Sequence, residues 1–277
     1  MKILLAHDGS QQSTVAGKFL RRYFYPTSDP IEIVCVIDAL RDHSCHVLSD
    51  LQNEADQKLQ AIQREFMKDD WSVETKRLEG EIARTLVKEA KAGEATLLVA
   101  GDRGLGKIDS LLLGNVSSHL VKHANCSVLI AKKFPEHDSR EVVRILLPYD
   151  GSRAAESAVH WMETANWRIP VELMLLNVME SQSDHLKKMA IANATYGELD
   201  ALKIRLIKEM TTKLRHVETE VIDDDNIDET ILNAAATWNA DLIVLGHQGH
   251  NKIIEHIIGS TAYHVAEHAS CSVLVIR

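Results

Sequence analysis

Two glycine-spaced segments carry the chemistry this sequence offers. Gly101, Gly104 and Gly114 stand as G-x2-G-x9-G with Asn115-Val116-Ser117 behind them. Gly246, Gly249 and Gly259 repeat the spacing, followed by Ser260 and Thr261. Each segment follows a short apolar run and precedes a helical pattern. Glycine lets main-chain N–H groups approach an anion closely, and a helix start adds unpaired donors and partial positive charge. That combination suits a phosphate. A second pair of signals is Asp8-Gly9-Ser10 and Asp150-Gly151-Ser152, each directly after an apolar run. An Asp there is either a helix N-terminal group favoured by the dipole or a side chain facing a ligand at a strand end.

Other chemistries fit less well. Gly101-Asp-Arg-Gly-Leu-Gly106-Lys107 matches a P-loop until Ile108, which stands where the magnesium-binding Ser or Thr belongs, and the second copy lacks the pattern. His264-Val-Ala-Glu-His268 has the H-x-x-E-H form of an inverted zinc-protease motif, yet its counterpart His119-Leu-Val-Lys-His123 has Lys for Glu. His43-Ser-Cys45-His46 gathers metal-ligand types without a second ligand pair, so no metal site is assigned. The sequence supplies no G-x-S-x-G elbow, kinase set, H-E-x-x-H or nameable nucleophile–base pair, so no catalytic residue is assigned. Trp161 and Trp167 are read as core packing or a domain contact.

The elements that must position these groups alternate in type. Strands are expected over Ile3–Ala6, Ile31–Ile37, Trp71–Leu78, Thr96–Ala100 and Cys126–Ile130, with helices over Ser13–Tyr23, Leu48–Met67, Ile82–Ala92 and Asn115–His123. Asn115 reads as an N-cap and Gly93 as a C-terminal cap. The second half repeats the order: Val143–Ser152 matches Lys2–Ser10, strands follow at Val171–Val178 and Val217–Ile222, with a long helix over Leu186–His216 interrupted near Gly197 and a helix over Ile227–Trp238. The offset between halves is constant from Gly101 and Gly246 through Cys126 and Cys271. Repetition on this scale means tandem domains rather than a solenoid. We expect domains over 1–134 and 142–277 with a charged, Pro135-containing linker over 135–141. The fold class is α/β, two tandem open five-stranded parallel-sheet domains of Rossmann-like type with helices on both faces. In such sheets ligands sit beyond the carboxyl ends of the strands, where strand order reverses.

Composition narrows the field. With 277 residues, 45% hydrophobic and 26% charged, the chain suits two ordinary globular domains. A net charge of −9 argues against nucleic-acid binding by bulk electrostatics. No apolar run approaches a membrane span, and Met1–Ala6 is too short for a signal peptide. Cys35, Cys45, Cys126 and Cys271 form no CxxC pair, which fits a reduced, cytoplasmic protein.

Asp-Gly-Ser after the first strand, the glycine motif after the fourth, and the closing His-Ala-x-Cys-x-Val-Leu pattern occur in order, twice. Together they resemble the universal stress protein family in its tandem form, nearly end to end. The resemblance implies five parallel strands per domain, a pseudo-twofold axis between domains, and an adenine nucleotide, ATP or AMP, with magnesium accompanying ATP. It implies Asp8 near the adenosine and Val36 as a main-chain contact to adenine, with Gly101, Gly104, Gly114, Asn115, Val116 and Ser117 around ribose and phosphates. In the second domain it implies Asp150, Val178, Gly246, Gly249, Gly259, Ser260 and Thr261. It further implies that Ser127–Ala131 and Ser272–Ile276 meet within the chain, and it leaves a homodimer and a protein partner of unknown identity open. Departures from the pattern are Asn115 for Ser or Thr, Ser127 and Ser272 for Pro, and His250, Glu255 and His256 in the second loop. Gly80 aligns with Asp225 of an acidic run. The first domain is therefore expected to be the better nucleotide site. Its job is expected to be stress sensing, with nucleotide ordering the Gly104–Gly114 loop. The alternatives are a slow ATP hydrolase using Asp8, Asp102 or Ser117, and a scaffold that holds a different ligand.

Overall fold

The computed structural model describes residues 1–38, 45–104, 113–132, 141–180, 185–249 and 258–277, with backbone alone for 45–46 and 185–188. The chain divides into two compact units, Met1–Phe134 and Pro135–Arg277.

Unit 1 runs β1 (Ile3–Ala6), α1 (Gln11–Tyr23), β2 (Ile31–Ile37), α2 (Cys45–Met67), β3 (Val73–Glu79), α3 (Ile82–Ala92), β4 (Leu97–Gly101), α4 (Asn115–His123) and β5 (Ser127–Ala131). Its strands lie in the order β3-β2-β1-β4-β5, each neighbouring pair parallel. The chain leaves β1 toward β2 on one side and returns to β4 on the other, so strand order reverses between β1 and β4. Apolar runs such as Leu97-Leu-Val-Ala-Gly101 suit strands covered on both faces, and β4 and β5 are buried throughout. The edge strand β3 (VETKRLE) is charged and largely open to solvent, which discourages pairing with another sheet edge.

Unit 2 repeats this with β6 (Val143–Pro148), α5 (Arg153–Thr164), β7 (Val171–Met179), α6 (His185–Glu209), β8 (Leu214–Asp223), α7 (Ile227–Thr237), β9 (Leu242–Gly246), α8 (Ser260–His268) and β10 (Ser272–Ile276). Its order is β10-β9-β6-β7-β8, again parallel.

Several local expectations are corrected. Helix α6 passes unbroken through Gly197 and stops at Glu209; residues 214–216 belong to β8, where His216 pairs with Glu172. Strand β3 starts at Val73 because Trp71, 3% exposed, is spent on an edge-to-face contact with Phe66. Gly93 does cap α3, but in right-handed geometry at φ −80°; the left-handed residue is Glu94 at φ 52°. The Ala95 N–H to Ala90 O and Glu94 N–H to Lys91 O bonds show why, since this paired closure needs its positive φ one residue past the cap. Ser10 caps α1, accepting from Ser13 N–H at 3.1 Å, so that helix starts at Gln11 rather than Ser13.

Candidate functional site

The Asp-Gly-Ser segments are turn-and-cap devices. Asp8 Oδ1 accepts from Ser10 N–H at 2.9 Å across Gly9, whose φ of +78° suits glycine. Asp150 Oδ1 accepts from Ser152 N–H at 3.0 Å across Gly151 at φ +75°. One carboxylate oxygen thus fixes the turn between the first strand and the first helix. The other points elsewhere: a Cβ placed on Gly104 would lie 2.9 Å from Asp8 Oδ2, and one on Gly249 would lie 2.9 Å from Asp150 Oδ2. The fold brings the two sequence signals together at the strand carboxyl ends, identically in both units.

The first glycine of each motif has a packing role. A Cβ on Gly101 would sit 2.6 Å from the Gln12 carbonyl carbon, and one on Gly246 would sit 2.4 Å from that of Ala154. Helices α1 and α5 therefore rest directly on the ends of β4 and β9. The third glycine is the helix cap. Gly114, not Asn115, is the N-cap of α4, with φ −64°, ψ 158° and no side-chain bond; Asn115 is the first helical residue. The cap is fixed from the strand side, since Gly114 N–H donates to Asp102 O at 2.9 Å and a Cβ would meet that oxygen at 3.2 Å. Gly259 caps α8 and donates to His247 O at 2.7 Å. The first intrahelical bonds are Ser118 N–H to Gly114 O and Tyr263 N–H to Gly259 O. The amides of Asn115, Val116 and Ser117, and of Ser260, Thr261 and Ala262, thus have no intrahelical acceptor and form a donor group of the kind anions use.

Ser117 serves the framework. Its buried hydroxyl donates to Gly101 O at 2.7 Å, tying α4 to β4, and Ala262 takes that place in unit 2. Val36 and Val178 lie near the carboxyl ends of β2 and β7, half-buried, opposite Leu78 and Ile222. The pairing of Ala6 with Val34, continued along the strands, sets Asp8 level with Val36.

Electrostatics separates the two sites. Before the motif Asp stands His7 in unit 1 and Tyr149 in unit 2. His7 is buried, its Nδ1 lacks a hydrogen bond, and burial holds its pKa below the ordinary imidazole range despite the Asp8 charge. Tyr149 donates to Glu156, and burial and that carboxylate push its phenol well above its usual range. After β4, Asp102 has a buried Oδ1 without a hydrogen-bond partner, and desolvation raises its pKa even with Arg103 Nε 3.7 Å from its Oδ2. In its place His247 bonds Ile276 O through Nδ1 at 3.1 Å.

A third difference was not legible from the motifs. Lys58 of α2 drapes its methylenes over Gly9, 2.6–2.9 Å from where a Cβ would stand, and its field reaches His7 and Cys35. In unit 2 the field of Glu198 of α6 reaches Tyr149. Lys58 Nζ is itself paired with Glu54 at 2.7 Å, so the first site is flanked by an ion pair where the second is flanked by the carboxylate of Glu198. The acidic run adds to this. Gly80 N–H donates to Ile37 O, and Asp224 N–H donates to Met179 O, both at 3.0 Å. Asp224, rather than Asp225, is thus the counterpart of Gly80.

Other motifs resolve into structure. In the H-x-x-E-H segment His264 Nδ1 lies 3.5 Å from Asp228 and Nε2 3.2 Å from Glu229, while Glu267 accepts from Tyr263. Among the described residues no three His, Cys, Asp or Glu side chains are grouped to hold a metal ion. Trp167 is fully buried, meets Trp161 edge to face, and donates to Met162 O at 3.2 Å. The His43–His46 cluster, the Gly106-Lys107-Ile108 part of the P-loop match, and His250, Glu255 and His256 lie outside the described residues or side chains. No helix among the described residues is long and apolar enough to cross a membrane.

Comparison with known proteins completes the picture. A universal stress protein of Mycolicibacterium smegmatis is 29% identical over 216 residues, covering 74% of this chain and 69% of its own. One from Methanocaldococcus jannaschii is 30% identical over 141 residues, 48% of this chain and 82% of its own. The crystal structure of an Archaeoglobus fulgidus universal stress protein shares the fold at a TM-score of 0.67 and 20% identity, covering all of this chain and 96% of that one. The Universal stress protein family model matches twice, over residues 1–132 and 142–277. The chain therefore belongs to the universal stress protein family, in a form that carries the family's domain twice.

Proposed function

We propose that unit 1 binds an adenine nucleotide, ATP or AMP, and that the protein acts in the cytoplasm as a nucleotide-responsive regulator of the stress response. The observation that carries this reading is the meeting of Asp8 Oδ2, Gly104 and the Gly114-capped amides of α4 at the β1–β4 reversal point. In this reading Asn115, Val116 and Ser117 offer main-chain N–H groups to phosphate, with the α4 dipole behind them. Gly104 leaves room beside Asp8 for the ribose, and Val36 presents its main chain to the base. ATP would bring magnesium on its own phosphates; Asp102 Oδ1 is the nearby buried carboxylate oxygen without a hydrogen bond. Unit 2 repeats the geometry with Asp150, Val178, Gly246, Gly249, Gly259, Ser260 and Thr261, but Glu198 and Asp224 make it the weaker anion site.

A hydrolytic reading rests on Asp102, whose raised pKa suits a group that takes up a proton. Ser117 does not help it, since that hydroxyl proton is committed to Gly101 O. Mass spectrometry of ligand released from purified protein separates the readings: retained ATP or AMP supports binding, and conversion of added ATP to ADP that Asp102→Asn abolishes supports hydrolysis. Equilibrium dialysis then checks rebinding. Failure of the emptied protein to take up ATP or AMP at millimolar concentration contradicts the proposal.

A further inference from the structure

The two units differ at the end of the sheet where the strands begin. Unit 1 keeps a cavity of about 440 Å³ there. Its walls are Lys2, Glu32 of β2, Glu74 and Lys76 of β3, and Glu89 and Gly93 at the α3 end, with Asp29 at the exposed rim. Unit 2 builds the corresponding corner from larger groups. The Lys2 carbonyl accepts from Thr96 N–H as the Arg144 carbonyl accepts from Asp241 N–H, and Gly93 and Trp238 are the C-caps of α3 and α7, so these positions correspond. Arg144 lies over the Trp238 ring, 5.8 Å from its centre, and pairs with Glu172 at 3.1 Å. Leu4 and Leu146 each stand four residues before a motif Asp; Leu4 pairs with Glu32, and Leu146 pairs with Met174. Unit 1 therefore has a carboxylate where unit 2 has a buried thioether.

Glu32 is poorly neutralised in this corner. Its side chain is 19% exposed and reaches under the α3 end, where a Cβ on Gly93 would lie 3.5 Å from Oε2. Lys76 Nζ donates to Glu89, itself 16% exposed, and stands 3.8 Å from Glu32, beyond hydrogen-bond range. Glu74 is the cross-strand neighbour of Glu32 and carries the same charge. Burial first, and then the Glu89 charge, push the Glu32 carboxyl above its usual range; Glu74 adds to this, while Lys76 and Lys2 act the other way. We propose that this cavity is an acid-responsive brace: as pH falls Glu32 takes up a proton, the repulsion among the carboxylates drops, and Lys76 is left to tie β3 to α3 through Glu89. The folded unit holds that proton more tightly than the unfolded chain does. The Glu32 contribution to stability is therefore most favourable below the ordinary glutamate range and is lost as pH rises from there through the folded value. Met174 gives unit 2 no such response at this position.

Carbon-detected NMR titration of the glutamate carboxyls in the full chain tests this, with the Glu32 signal assigned by its loss in Glu32→Gln. The Glu32 midpoint is expected above the ordinary glutamate range. Lys76→Met should raise it further, and Glu89→Gln, which removes a like charge and releases Lys76, should lower it. Urea unfolding followed on the amide signals of β2 and β3 supplies the second readout. Glu32→Gln should unfold at higher urea than wild type at pH 7, and the gap should close as pH falls toward 4. Taking the difference between the two chains removes the opposing contribution of His7. A Glu32 midpoint within or below the ordinary range, a midpoint indifferent to both Lys76→Met and Glu89→Gln, or a gap that does not change with pH would each overturn the proposal.

Discussion

The two units solve the same packing problem with opposite charges. In unit 1 Arg21 of α1 reaches Asp69 at 2.6 Å and Glu65 of α2 at 3.3 Å. In unit 2 the acid is on the first helix and the base on the second: Glu163 of α5 holds Arg205 of α6 at 2.7 Å, with Glu156 at 2.9 Å. Lys58 and Glu198 invert in the same way beside the two sites. Backbone features do not invert. Both motif Asp residues bond the same turn N–H, and both first motif glycines lie under a helix backbone. The fold therefore rests on main-chain and glycine positions, while exposed charge is free to change and so to distinguish the sites.

The sharpest way to break the equivalence is at the glycines. Gly101→Ala or Gly246→Ala puts a methyl group within 2.6 Å of helix backbone, which cannot yield as a flexible side chain would. Each should destabilise its unit by about 1–3 kcal/mol or more, the usual cost of overpacking, read from denaturant midpoints. Gly197→Ala has the opposite sign. Its site is an open helix interior, so it should stabilise unit 2 by up to about 1 kcal/mol.

Next in size is the rim charge. Reversing Lys58 to Glu should weaken nucleotide binding to unit 1, and Glu198→Lys should strengthen it in unit 2, by roughly tenfold or less at low salt and less again as salt screens the charge. Calorimetric titration at two salt concentrations checks both directions. Equal affinities before and after the reversals would mean that the rim charge does not distinguish the sites.

Proton linkage should also be unequal. Burial lowers the pKa of His7 in the folded state, so the unfolded chain binds the proton more readily. Stability is therefore lost as pH falls through about 6.5, the unfolded imidazole value, and His7→Gln should flatten that slope in denaturation curves between pH 7 and pH 5. Asp102 works in the opposite sense. Its raised folded pKa costs stability progressively as pH rises from the unfolded carboxyl range through the folded value, so Asp102→Asn should stabilise unit 1 at neutral pH and not below the unfolded carboxyl range.

The smallest effect belongs to the inverted ion pairs. Arg21→Ala and Arg205→Ala should each cost no more than about 1 kcal/mol, because partly exposed pairs are screened.

Much of this architecture was legible in the residues. The Ile3–Ala6 and Ile31–Ile37 runs, the Ile82–Ala92 and Asn115–His123 helices and the doubled glycine spacing all stand where periodicity and turn chemistry put them. The site was legible as a list of positions, but the work of each residue was not. Gly101 reads as a phosphate glycine, and its burden is the Gln12 backbone, which is distant in sequence. Asn115 reads as a cap because its type favours caps; the Asp102 carbonyl, brought in by β4, shifted the cap to Gly114. Lys58 belongs to no motif, since its place over Gly9 depends on how α2 crosses the sheet. The continuity of α6 through Gly197 follows from its buried Leu199, Leu202 and Leu206, whose packing outweighs one glycine's weak helix propensity.

The central claim, that the Gly104–Asp8 corner of unit 1 holds the nucleotide, is tested most directly by calorimetric titration of ATP and AMP into the wild-type chain and into Gly104→Val and Gly249→Val variants. Both glycines are exposed, so neither change should disturb folding, yet each places a side chain against its motif carboxylate. Loss of the tighter binding event in Gly104→Val, with that event intact in Gly249→Val, is the predicted result. Tight binding that survives in Gly104→Val, or disappears only in Gly249→Val, would contradict the account.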